Sequence, residues 1–166
     1  MKRFLFSIIS ILSVIVSYGQ NAVPVMGEGV SVFDVEVEEL SGLCFNEDAT
    51  KLLSCGDQGV VKSISFTGEV EDILVQGADM EGLTLDPATG DMYLAIEGRQ
   101  EIYRMAAPGY SSAESVFAVK EAVENNYRNG GLEAVEYYKD DILFVGSQTE
   151  ANLWQYRFDG TMISRI

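Results

Sequence analysis

The chain has 166 residues, 26 acidic and 11 basic, with a formal net charge of −15 and a hydrophobic share of 47%. That share excludes general disorder, and the negative charge excludes nucleic-acid phosphate and anionic lipid heads as partners. With no histidine and two cysteines, Cys44 and Cys55, these residues hold no Ser-His-Asp or Cys-His catalytic set and cannot close the usual zinc sites.

The N-terminus opens with Lys2 and Arg3, an apolar run from Phe4 to Val16 and a small, polar end, Ser17-Tyr18-Gly19-Gln20. Basic, apolar and small, in that order, predicts a secretory signal peptide over residues 1–20. The apolar run is shorter than the roughly 20 residues a membrane span needs, so no span is expected after cleavage. The exported chain would reach the periplasm, the cell surface or the extracellular space, where a disulfide between Cys44 and Cys55 is permitted. Two small buried residues on neighbouring strands are the other reading of that pair. Residues 21–35 form a connecting N-terminal segment, and residues 36–166 the folded domain.

From there one pattern is written three times. Ser41–Phe45 and Lys51–Asp57 flank a polar gap; Glu81–Leu85 and Asp91–Glu97 flank Asp86-Pro87-Ala88-Thr89-Gly90; Glu133–Tyr137 and Ile142–Gln148 flank Lys139-Asp140-Asp141. A third strand follows each pair, at Val60–Phe66, Glu101–Met105 and Asn152–Phe158. Fourth strands are expected at Val70–Val75 and Ser115–Val119, and a single short helix over Glu121–Arg128. Gly42 and Gly82 are 40 residues apart, and Ala134 continues the series after a longer loop. A period of about 40 with four short strands is that of a β-propeller blade, so the fold class is all-β, with about three four-stranded antiparallel blades. A β-sandwich is the competing reading of short strands and frequent turns. Gly42 and Gly82 fall on the first, innermost strand, where a missing side chain permits close approach.

The runs Glu39-Leu40-Ser41-Gly42-Leu43, Asp79-Met80-Glu81-Gly82-Leu83, Ala95-Ile96-Glu97 and Asn129-Gly130-Gly131-Leu132-Glu133-Ala134 resemble the SdiA-regulated family of exported bacterial proteins. They also resemble the neighbouring phytase-like and esterase-like propellers. The resemblance covers about residues 36–166. It implies a six-bladed propeller with a pocket at one end of its channel, often holding a divalent cation, typically calcium. It also implies about twice this length, so the chain reads as truncated at its C-terminus. Ala134 departs from the motif's glycine, and Gln148 stands where the second blade has Glu97, which points to a weaker third-blade site.

The acidic residues lead to a site without the family. If strands one and two of a blade form a hairpin, Gly82 lies opposite Ala95, and Glu81 and Glu97 share one end of it. The 40-residue offset puts Asp57 at the Glu97 position, and Glu133 repeats Glu81. Asp57, Glu81, Glu97 and Glu133 are therefore the candidate metal or ligand residues, with Glu39, Asp79 and Gln148 around them. Gathered carboxylates repel unless something compensates. A hard cation such as calcium would do so through several oxygen ligands. A basic ligand, or pairing with backbone amides and arginines, would serve as well.

The leading functional reading is an exported propeller, without catalytic residues in these blades, that binds a small ligand or partner at the acidic end of its channel with calcium. The alternative is a metal-dependent phosphate or ester hydrolase of the phytase-like or esterase-like kind. A phosphate clamp would need basic residues, and Arg99, Arg104 and Arg128 are the ones expected near the acidic face. A purely structural surface module is the third reading.

Overall fold

The computed structural model describes residue 35 and residues 37–124 and 130–166. The expected signal peptide, nearly all of the 21–35 segment and Arg128 lie outside the described residues.

Twelve strands follow in chain order: β1 (Leu40–Phe45), β2 (Lys51–Gly56), β3 (Val60–Ser65), β4 (Val70–Val75), β5 (Met80–Leu85), β6 (Met92–Ile96), β7 (Glu101–Met105), β8 (Ala113–Ala118), β9 (Leu132–Lys139), β10 (Ile142–Ser147), β11 (Leu153–Arg157) and β12 (Met162–Arg165). A short helix α1 spans Lys120–Glu124, and a 3-10 turn spans Thr149–Ala151. The strands make three four-stranded antiparallel sheets, β1-β2-β3-β4, β5-β6-β7-β8 and β9-β10-β11-β12. These are the blades, and β1, β5 and β9 lie side by side as their inner strands. Helix α1 begins one residue before the expected Glu121; the remainder of the expected helix, residues 125–129, lies outside the described residues.

The turns follow from their residues. In the β5–β6 connection Asp86 accepts hydrogen bonds from Ala88 N at 2.9 Å and from the Thr89 hydroxyl at 2.8 Å. Gly90 closes the turn at φ +78°, a backbone region that costs a side-chain-bearing residue energy. The hairpin this turn aligns pairs Gly82 with Ala95, the expected register.

Two cores lie between the blades. Leu53, Cys55 and Val61 of the first blade meet Leu83, Met92, Leu94 and Ile96 of the second. Tyr93, Ala95 and Ile102 of the second meet Val135, Leu143, Val145, Trp154 and Tyr156 of the third. Strand β6 is therefore buried on both faces and reads Met-Tyr-Leu-Ala-Ile, with no polar alternation. Strand β10 alternates: Leu143 and Val145 are buried, and Phe144 and Gly146 are only half-buried.

The inner strands approach closely where side chains are smallest. A Cβ on Gly42 would meet Gly82 Cα at 3.0 Å, and a Cβ on Gly82 would meet Val135 N at 2.9 Å and Ala134 Cα at 3.0 Å. Both cysteines are free thiols. Cys55 pairs with Gly42 and Cys44 with Leu53, so they are not directly opposed. Burial pushes both thiols up to about 12, which keeps them protonated and unreactive.

Candidate functional site

The same irregularity recurs at the start of each inner strand. Pairing skips one residue between Leu40 and Gly42, between Met80 and Gly82, and between Leu132 and Ala134. The skipped residues are Ser41, Glu81 and Glu133. A β-bulge leaves one residue unpaired and re-aims its side chain. The second strand of each hairpin ends alongside, and the next residues are Asp57, Glu97 and Gln148. Two residues before each bulge stand Glu39, Asp79 and Gly131. All the expected site residues thus gather at one end of successive hairpins.

Within that set, oxygens of Asp57, Asp79 and Glu81 lie within 4.8 Å of one another. Asp79, expected around the candidate residues, is one of these three. It reaches the carboxyl groups of both Glu97 and Glu81, and its Oδ1 is buried with no hydrogen-bond partner among the described residues. The Ser41 hydroxyl donates to Asp57 Oδ1 at 2.7 Å. Burial pushes Glu81 up to about 7; the Ser41 hydroxyl opposes this, and the charges of Asp57, Glu133 and Asp79 add to it. Burial first, then Glu97, raises Asp79. Burial first, then the fields of Glu97, Asp79 and Asp57, raises Glu133.

The other expected residues stand further out. Glu97 Oε1 accepts from the backbone N–H of Gly130 at 2.5 Å and of Gly131 at 3.0 Å, so part of its charge is already compensated by the third blade. Glu133 and Glu97 are not part of the three-carboxylate group. Glu39 accepts from Gln58 Nε2 at 2.6 Å. The backbone N–H of Gln148 donates to Gly131 O at 3.1 Å. Arg104 is not on this face: the pairing of Tyr93 with Arg104 carries it toward the far end of the hairpin, where its Nε donates to Asp91 Oδ2 at 2.7 Å. Arg99 donates to the Tyr103 hydroxyl at 2.5 Å.

Gln100 went unnoticed in the sequence. It is buried, its backbone sits at φ +57°, its amide donates to Glu97 O, and its Oε1 accepts from Leu132 N at 3.1 Å. It ties the end of β6 to the start of β9, between Glu97 and Glu133. No periodicity marks such a residue. The bulges did leave a trace, in the recurring Ser41-Gly42, Glu81-Gly82 and Glu133-Ala134 steps.

The donor set fits a hard cation. Three carboxylates and a hydroxyl converge, one buried carboxylate oxygen has no hydrogen-bond partner among the described residues, and nitrogen or sulfur ligands are absent from the group.

Residues 60–162 match the family model described as "Phytase-like: Esterase-like activity of phytase". Among curated proteins no match is found. Several solved structures are similar. A catalytically inactive virginiamycin B lyase from Staphylococcus aureus, solved with quinupristin, shares 12% identity over 76% of this chain and 40% of that one, with a TM-score of 0.56. A streptogramin B lyase shares 12% over 79% and 42%, with a TM-score of 0.57. A luciferin-regenerating enzyme shares 9% over 76% and 45%, with a TM-score of 0.60. At these identities the likeness is one of fold, and the chain spans less than half the length of each.

Proposed function

Given that the chain belongs to the phytase-like family, we propose that it is a ligand-binding propeller whose acidic end holds a calcium ion, through which a small oxygen-bearing ligand or partner is recognised. One observation carries this: the convergence of Asp57, Asp79 and Glu81 oxygens, with Asp79 Oδ1 buried and without a hydrogen-bond partner among the described residues. These three would hold the ion, and Glu97 and Glu133 would add negative potential around it. Calcium would supply a positive centre where the protein alone offers only negative charge. The motif runs at Glu39–Leu43, Asp79–Leu83 and Asn129–Ala134 support a kinship with the neighbouring SdiA-regulated family as well. The basic, apolar and small N-terminal order supports an exported location. No described helix is long and apolar enough to cross a membrane.

The test is thermal. Calcium at 100-fold its dissociation constant adds about 2.7 kcal/mol of stability, which for a domain of this size raises Tm by roughly 5–10 °C. Magnesium should raise it less, because it demands stricter geometry and dehydrates reluctantly. Glu81→Gln with Asp79→Asn should abolish the calcium shift while preserving a cooperative melt. An unshifted wild-type Tm would remove calcium from the proposal.

The description of the matched family favours a second reading, a calcium-dependent hydrolase of phosphate or ester bonds. In that case carboxylates would position a water and calcium would stabilise developing negative charge. The net charge of −15 disfavours a polyanionic substrate. Turnover of a phosphate monoester and of an acetate ester, each with calcium and with chelator, separates the two: binding without turnover supports the first reading.

A further inference from the structure

The junctions between consecutive blades are tied in different ways. At the first, the chain leading into β5 is held by a backbone carbonyl: the N–H groups of Gln76 and Gly77 donate to Gly59 O at 2.8 and 3.3 Å. At the second, the chain leading into β9 is held by side chains. Glu97 Oε1 accepts from the N–H groups of Gly130 and Gly131, and Gln100 Oε1 accepts from Leu132 N at 3.1 Å. A charged group therefore makes at the second junction a tie that a neutral one makes at the first. The glycines let this segment lie close: a Cβ on Gly130 would meet Thr149 Oγ1 at 2.8 Å and Gln148 Oε1 at 2.9 Å.

Glu97 also faces the acidic group. Its N–H donates to Asp79 O at 3.0 Å, and its carboxyl reaches that of Asp79. One carboxylate thus stands between the Asp57, Asp79 and Glu81 group on one side and two backbone amides on the other. The charge of Asp79 repels it, and the amides attract it. A cation held by Asp79 would offset the repulsion and leave the attraction.

We propose that Glu97 is a positioning residue that couples occupancy of the Asp57–Asp79–Glu81 site to the order of the Gly130–Gly131 segment. The inference rests on the calcium reading above. With the ion bound, Glu97 turns its full negative charge to the two amides and draws the start of the third blade against the second. Without the ion the clamp holds less tightly. The coupling is reciprocal, so the clamped segment raises the affinity for the ion by the factor by which the ion tightens the clamp.

Calcium titrated into the full 166-residue chain, followed by nuclear magnetic resonance, tests this. The amide protons of Gly130 and Gly131 should move downfield as their bonds to Glu97 strengthen, and their exchange with solvent should slow roughly five-fold or more. Val119, whose N–H donates to the backbone carbonyl of Gln100 at the same junction, should not shift. Glu97→Gln keeps the shape and removes the charge. It should still bind calcium, roughly five-fold more weakly or worse, and its two glycines should no longer respond. A purely structural role for Glu97 would leave the clamp indifferent to calcium. If calcium raises the wild-type Tm without moving the two glycines, the coupling is wrong and the binding site stands. Glycines that still respond in Glu97→Gln overturn the role of Glu97. If calcium changes neither Tm nor any amide, the site fails and the coupling fails with it. If Glu97→Gln loses its cooperative melt, the wild type decides: Gly130 and Gly131 must shift while Val119 does not, and a uniform response of all three refutes the coupling.

Discussion

Glu81 carries the clearest conflict in the molecule. Its bulge turns it toward Asp57 and Asp79, and burial with those neighbours holds its carboxyl at about 7, against an ordinary 4.5. In the unfolded chain the proton leaves near 4.5. Between the two values the folded state binds more protons, so stability falls as pH rises through that window. The benefit of the protonated carboxyl is complete below about 4.5 and lost above about 7. Asp79 and Glu133 are raised as well and push in the same direction. Asp48, Asp91 and Asp159 are lowered from 3.8 and act only at more acidic pH. The calcium-free protein should melt a few degrees higher at pH 5 than at pH 7.5, and Glu81→Gln should flatten that difference. A calcium-free Tm that rises from pH 5 to pH 7.5 would count against a strained acidic cluster. At this scale the sequence was informative about residue type and row. The 40-residue offset aligned Asp57 with Glu97, and the two do share a hairpin end. It could not rank the acids. Whether Asp79 or Glu97 joins Asp57 and Glu81 in the three-carboxylate group depends on a one-residue bulge and on two backbone amides, Gly130 and Gly131, that come from another blade.

Strands and hairpins were legible because their cause is local. Strands of four to eight residues, bounded by Asp-Pro, Thr-Gly and Asp-Gly, leave few other ways to satisfy both burial and turn geometry. The small residues on inner strands were legible too, though their purpose shows only in the packed blades. Gly82→Ala would drive its methyl into the backbone of Val135 and Ala134, which cannot yield as a flexible side chain can. That substitution should cost about 1–3 kcal/mol in a denaturant melt. The departure at Ala134 has the complementary explanation. Its register partner is Gly146, so the third blade exchanges the methyl and the hydrogen between its first two strands. A Cβ placed on Gly146 would meet the Ala134 Cβ at 3.5 Å, an ordinary contact. Gly146→Ala should therefore be tolerated far better than Gly82→Ala. Comparable losses from the two would refute this account of the inner strands.

The whole molecule was legible as a repeat. Three copies of a pattern point to blades, but nothing in the pattern tells which blade packs on which face of its neighbour. Only the neighbours decide, and they are remote in sequence. One consequence follows from strand β6, buried on both faces while β10 is covered on one. Each blade is stabilised mainly by the blades it touches, so resistance to opening is unequal along the chain. The middle blade can open only by parting from both of the blades packed against it. In a dilute sample under native conditions, amide hydrogens of Tyr93, Leu94 and Ala95 should exchange slowest, at rates close to those of complete unfolding. Those of β4 and β12, the edge strands of their sheets, should exchange through partial openings that leave the centre intact. Opening would then begin at those edge strands, and Glu81, on the inner strand of the blade packed on both faces, would be among the last of the acidic residues to lose its place.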